Sequence, residues 1–115
     1  MEIVCENERR VLTPVPHVTI DEYDMHNPVM NGATATIKGR YPERGYVMNL
    51  KVDEMVYVTE GSGTLTFSTG QSLFFSKGDV IFVEKGEKYA WDGDMQLFMV
   101  CTPPFDPAQY IEVED

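Results

Sequence analysis

The sequence predicts an all-β fold, a small antiparallel barrel or sandwich, and three observations carry that reading. Glycines from Gly63 to Gly93 recur at intervals of seven or eight residues, most beside a polar turn former. The runs between them (MVYVT, TLTFS, SLFF, DVIFV, YAW, QLFMV) are rich in β-branched and aromatic residues. No stretch shows the 3.6-residue apolar period of an amphipathic helix.

The elements divide at about residue 40. Residues 1–39 read as an N-terminal arm with edge strands. Pro14, Pro16, Pro28, Gly32 and Gly39 break it up, and VLTPV and ATATI are its strand-like pieces. Residues 40–105 hold the barrel. Turns are expected at Gly61-Ser62-Gly63, Thr69-Gly70, Lys77-Gly78, Lys85-Gly86 and Asp92-Gly93, the last an Asp-Gly pair suited to a two-residue hairpin. TPPFDP (102–107) leaves the sheet and lays Phe105 on the surface, where it can cover an apolar patch of this barrel or of a partner. A single helical turn follows, with Asp106 as cap, Pro107 at the first helical position and Gln109 three residues after the cap. The acidic end IEVED is expected to fray.

At 115 residues the chain is one domain, large enough to bury roughly two thirds of its unfolded surface. Nine Lys and Arg against nineteen Asp and Glu give a net charge of −10. Nucleic acid and anionic membrane surfaces are thereby excluded as partners, since both need clustered cations. No run of 18 apolar residues is present, and the acidic N-terminus MEIVCENERR is no secretory signal. Cys5 and Cys101 are too few for a disulfide framework and read as reduced thiols of a cytoplasmic protein, Cys101 as a small core residue.

Two segments carry the motif evidence, DEMVYVTEGSGTLTF (53–67) and GDVIFVEKGEKYAW (78–91). In the first, six residues separate Glu54 from Gly61. In the second, Gly78 is followed by Glu84-Lys85-Gly86 and then Tyr89. Over residues 40–105 this spacing resembles the cupin superfamily, which implies an antiparallel jelly-roll β-barrel. In that family the first motif supplies two histidines and a glutamate, and the second a third histidine, as metal ligands. Here the two histidine positions hold Met48 and Leu50 with a three-residue spacer, or Val47 and Asn49 with a four-residue one. The third holds Tyr89, so of the four family ligands Glu54 alone is present. A transition-metal centre needs three or four N, O or S ligands, so no metal and no cofactor is expected. His17 and His26 lie in a proline- and acid-rich segment and read as exposed side chains.

Strand alternation places the remaining candidates. If Glu54 faces inward, so do Val56 and Val58, while Met55 and Tyr57 face out. Tyr89 and Trp91 share a face. Met48, Leu50, Phe82 or Val83, and Met99 complete an apolar interior with a few polar handles, which describes a ligand pocket and a filled core equally well. Glu54 is the candidate acid or base and Tyr89 a second proton donor. The structural alternative pairs Glu54 with Tyr89, Arg40 or Arg44. GRYPERGY (39–46) adds Arg44 and Tyr46 as candidate ligand contacts, or else arginines that pair with surface acids. Three functions follow: a metal-free barrel binding a small organic molecule, a metal-independent isomerase, epimerase or lyase using Glu54 and Tyr89, or a structural barrel. A homodimer is expected in each case.

Overall fold

The computed structural model describes residues 1–114 and contains nine strands in one curled antiparallel sheet. In chain order they are β1 (Arg10–Val15), β2 (Val18–Tyr23), β3 (Asn31–Tyr41), β4 (Tyr46–Asn49), β5 (Asp53–Phe67), β6 (Ser72–Ser76), β7 (Val80–Val83), β8 (Tyr89–Thr102) and β9 (Tyr110–Val113). The sheet runs β1-β2-β3-β8-β4-β9. β5 pairs with the other edge of β8 and carries β7 and then β6 along its own far edge. The only helical pieces among the described residues are 3-10 turns at Glu6–Glu8 and Pro107–Gln109. No helix is long and apolar enough to cross a membrane.

Alternation decides which side chains form the core. Along β5, Glu54, Val56 and Val58 are buried while Met55 and Tyr57 are exposed, as the period of two requires. On β8, Tyr89, Trp91, Met95 and Leu97 face the same interior. Turns form as expected at Gly70, Gly78 and Gly86, each with positive φ.

Four expectations change. The division at residue 40 is absent, because β3 crosses it and pairs with β8 from Asn31↔Cys101 to Tyr41↔Trp91, so the N-terminal third belongs to the sheet. WDGDM is not a hairpin but the middle of β8. There Gly93 faces Gly39 on one side and Gly63 on the other, with φ of 149°. A Cβ on Gly93 would lie 2.5 Å from the Ser62 carbonyl oxygen, so the glycine permits close strand approach where the sheet bends. Gly61-Ser62-Gly63 likewise lies inside β5, just past a register shift between Val58 and Glu60. Finally, the C-terminal segment does not fray as a whole: β9 pairs with β4 from Tyr46↔Val113 to Asn49↔Tyr110. The last residue of IEVED lies outside the described residues. Asp106 does cap the preceding turn, its Oδ1 accepting from the Ala108 N–H at 3.0 Å.

Candidate functional site

The curled sheet encloses a cavity of about 410 Å³. One wall comes from β1 to β3, with Leu12, Val18, Ile20 and Ala35. The adjoining wall comes from Glu54 on β5 and from Tyr89, Trp91, Met99 and Cys101 on β8. Phe105 and Tyr110 cover one side, ring centroids 5.5 Å apart. Phe105 therefore covers this chain's own interior, held by its N–H donating to Asn31 Oδ1 at 3.2 Å. The walls are mostly aliphatic and aromatic, and the volume falls within the ~300–1,000 Å³ common for ligand sites.

Glu54 is the central polar group, 3% exposed. Asn49 Nδ2 donates to its Oε1 at 3.0 Å, while Oε2 has no hydrogen-bond partner. Asn49 is fixed in turn by Gln109, whose Nε2 donates to Asn49 Oδ1 at 2.8 Å. Gln109 Oε1 accepts from the Lys51 and Val52 N–H groups at 3.0 and 3.2 Å. A buried chain of amides thus runs from the C-terminal turn through β4 to the carboxyl group. Burial pushes the Glu54 carboxyl above its ordinary value, and the bond from Asn49 offsets part of that rise. Burial, and then the charge of Glu54, hold the Tyr89 phenol well above its usual range. The Cys101 thiol is raised by the same two causes in the same order. Tyr89 and Cys101 are therefore protonated at neutral pH, a donor and a neutral thiol.

Of the residues expected at the site, Glu54, Tyr89, Trp91 and Met99 line the cavity. Four others do not. Met48 and Leu50 lie on the outer face of β4 and its following turn, Leu50 being 49% exposed. Their phase is set by β4, which turns Val47 and Asn49 inward, so the four-residue spacing describes this strand. Tyr46 stacks with Arg40, 5.5 Å from guanidinium carbon to ring centroid, away from the cavity. Arg44 is exposed and contributes nothing to the lining. Of the pair Phe82 and Val83, Val83 faces inward and Phe82 is 63% exposed. Arg40 pairs with no acid among the described residues; it donates to the Pro42 and Gly45 carbonyls at 2.7 and 2.9 Å. The expected partners of Glu54 are replaced by Asn49.

Asn49, Gln109, Tyr41, Tyr110 and Glu22 are site residues that the sequence does not single out. Asn49 was visible as one of two spacing alternatives. Gln109 sits 60 residues from Asn49, and no local pattern reports such a contact.

The donors around Glu54 do not fit a transition metal. They are an amide, phenols, a thiol and the Glu22 carboxyl, with no imidazole. No group of three or more His, Cys, Asp and Glu able to hold a metal ion occurs among the described residues. His17 instead contacts the Arg40 carbonyl at 3.1 Å, and His26 pairs with Glu2 at 3.1 Å on the surface.

Comparisons with known proteins agree with this architecture. Residues 43–97 match the EutQ-like cupin domain. No curated protein matches the sequence. Among solved structures, Streptomyces Pac13, described as a nucleoside dehydratase, is similar with a TM-score of 0.86 at 14% identity. That alignment covers 99% of this chain and 92% of the other. An RmlC-like cupin from Shewanella frigidimarina gives a TM-score of 0.70 at 16% identity over 89% of this chain and 90% of that one. The polyketide cyclase RemF from Streptomyces resistomycificus gives 0.70 at 16% identity over 89% and 79%. At these identities the likeness is one of fold. The domain match over residues 43–97 and the shared architecture make this chain similar to cupins in fold.

Proposed function

We propose that the protein binds a small organic molecule inside the barrel, without a metal, and that Glu54 is the polar anchor of that site. The observation that carries this reading is the unpaired Oε2 of a buried carboxyl group lining a cavity of about 410 Å³. A buried polar atom without a partner costs roughly 1–3 kcal/mol, a debt that a ligand's hydrogen-bond donor cancels. A structural barrel has no use for either feature, since its interior would be filled by its own side chains. Trp91, the only tryptophan, lines the cavity and is 2% exposed, so its fluorescence reports occupancy. Titration with small aromatic alcohols is expected to give saturable changes in Trp91 emission that Ala35→Phe, which fills the cavity, abolishes. Unsaturable responses, or responses that survive Ala35→Phe, contradict the reading.

The raised Glu54 pKa also favours an acid–base role, with Tyr89 donating a proton-bearing hydroxyl to the same molecule. The neighbours described as a nucleoside dehydratase and a polyketide cyclase are consistent with chemistry in such a barrel. This role predicts Glu54-dependent exchange of the α-protons of a bound ketone such as 4-phenyl-2-butanone with solvent deuterium. Equal exchange by wild type and Glu54→Gln contradicts it.

We propose further that two copies pair through the outer face of β5, β7 and β8. Exposed Met55 lies opposite Phe82 there, and exposed Tyr57 lies between Val80 and Phe98.

A further inference from the structure

The lining of the cavity has a one-sided charge pattern. Two carboxyl groups line it, Glu22 and Glu54, and no Lys, Arg or His does. The two acids differ in how they are balanced. Glu22 lies against Arg10, whose Nη2 donates to its Oε1 at 2.6 Å. Arg10 is absent from the lining, and its side chain is 63% exposed, so it neutralises Glu22 from outside. Glu54 has no cation partner. Its one bond is to a neutral amide, and its Oε2 is free.

This arrangement discriminates among ligands. A carboxylate or phosphate entering the cavity would leave water for an apolar enclosure with no counterion. It would also face an uncompensated carboxyl group at short range, where repulsion is weakly screened. The net charge of −10 opposes its approach as well. A hydroxyl or an ammonium group meets the opposite situation. Either one can donate to Glu54 Oε2, and the aromatic rings of Tyr89 and Trp91 beside it accommodate a neutral or cationic body.

Given the binding role proposed above, we infer that the cavity selects organic molecules that bring a hydrogen-bond donor and no negative charge, and that it rejects phosphorylated and carboxylated compounds. Glu54 is the filter, and its unpaired oxygen receives the donor.

Three probes with the same ring and chain test this: 2-phenylethanol, 2-phenylethylamine and 3-phenylpropionate, titrated at pH 7.5 with Trp91 emission as readout. The alcohol and the amine are expected to bind at least tenfold more tightly than the carboxylate. In Glu54→Gln, whose amide can donate to a carboxylate, the gap is expected to shrink below threefold. A carboxylate that binds wild type within tenfold of the alcohol overturns the inference and leaves the binding role standing. Failure of all three probes to bind overturns the binding role and this inference with it. A folded Glu54→Gln that keeps the full gap overturns the assignment of the filter to Glu54. The wild-type comparison decides the matter even where the variant does not fold.

Discussion

Glu54 combines two properties that rarely coexist without a reason: near-complete burial and a free carboxylate oxygen. The consequence for stability has a definite sign. Burial raises its folded pKa above the ordinary 4.5, with Asn49 offsetting part of the rise. A carboxyl raised on folding contributes stability that is fully present below the unfolded value and is lost as pH climbs through the folded one. Each tenfold gain in proton affinity corresponds to about 1.4 kcal/mol. Urea denaturation at pH 4, 6 and 8 should therefore show wild type losing stability relative to Glu54→Gln as pH rises. Parallel pH profiles for the two proteins would contradict this. The inward phase of Glu54 was legible in the sequence because β5 alternates cleanly. The identity of its partner was not, because no local pattern ranks Asn49, five residues away, above Tyr89 or the arginines as a partner.

At the scale of elements, the amide chain from Gln109 holds the C-terminal segment to β4. Gln109→Ala removes the acceptor for the Lys51 and Val52 N–H groups and the donor to Asn49. It is expected to destabilise the fold by about 2–4 kcal/mol in urea titrations, from backbone groups left unsatisfied. A loss below about 1 kcal/mol would show that the chain is incidental. Gly93→Ala tests the crossing point of β3, β5 and β8. Its Cβ would press on Ser62 and Gly63 backbone atoms, and a loss of about 2–4 kcal/mol or failure to fold is expected. The short strands and the turns at Gly70, Gly78 and Gly86 could be read from local chemistry. Gly61, Gly63 and Gly93 could not, because the same residue that ends a strand also lets two strands approach closely inside a bend. The outward phase of Met48 and Leu50 escapes local reading for a related reason. A four-residue strand has too little alternation to fix its phase, and pairing with distant β9 sets it instead.

For the whole molecule, surface charge and surface apolarity point in opposite directions. Nineteen acids keep like-charged copies apart, yet Met55, Tyr57, Val80, Phe82 and Phe98 form an exposed, uncharged face on neighbouring strands. Extended apolar patches of this kind are uncommon on monomers and favour pairing with a second copy. Light scattering is expected to give twice the chain mass for wild type, and the mass of one chain for the double variant Val80→Glu, Phe82→Glu. A wild-type protein at the mass of one chain would exclude the pairing.

A single spectroscopic titration tests both Glu54 and the cavity it lines. The Glu54 carboxyl carbon can be followed by ¹³C NMR from pH 3 to 9, in the free protein and with 2-phenylethanol at saturation. A free-protein pKa above 4.5 and a distinct titration curve with the alcohol bound are expected. A carboxyl group that titrates at its ordinary value, unchanged by the alcohol, would contradict this expectation.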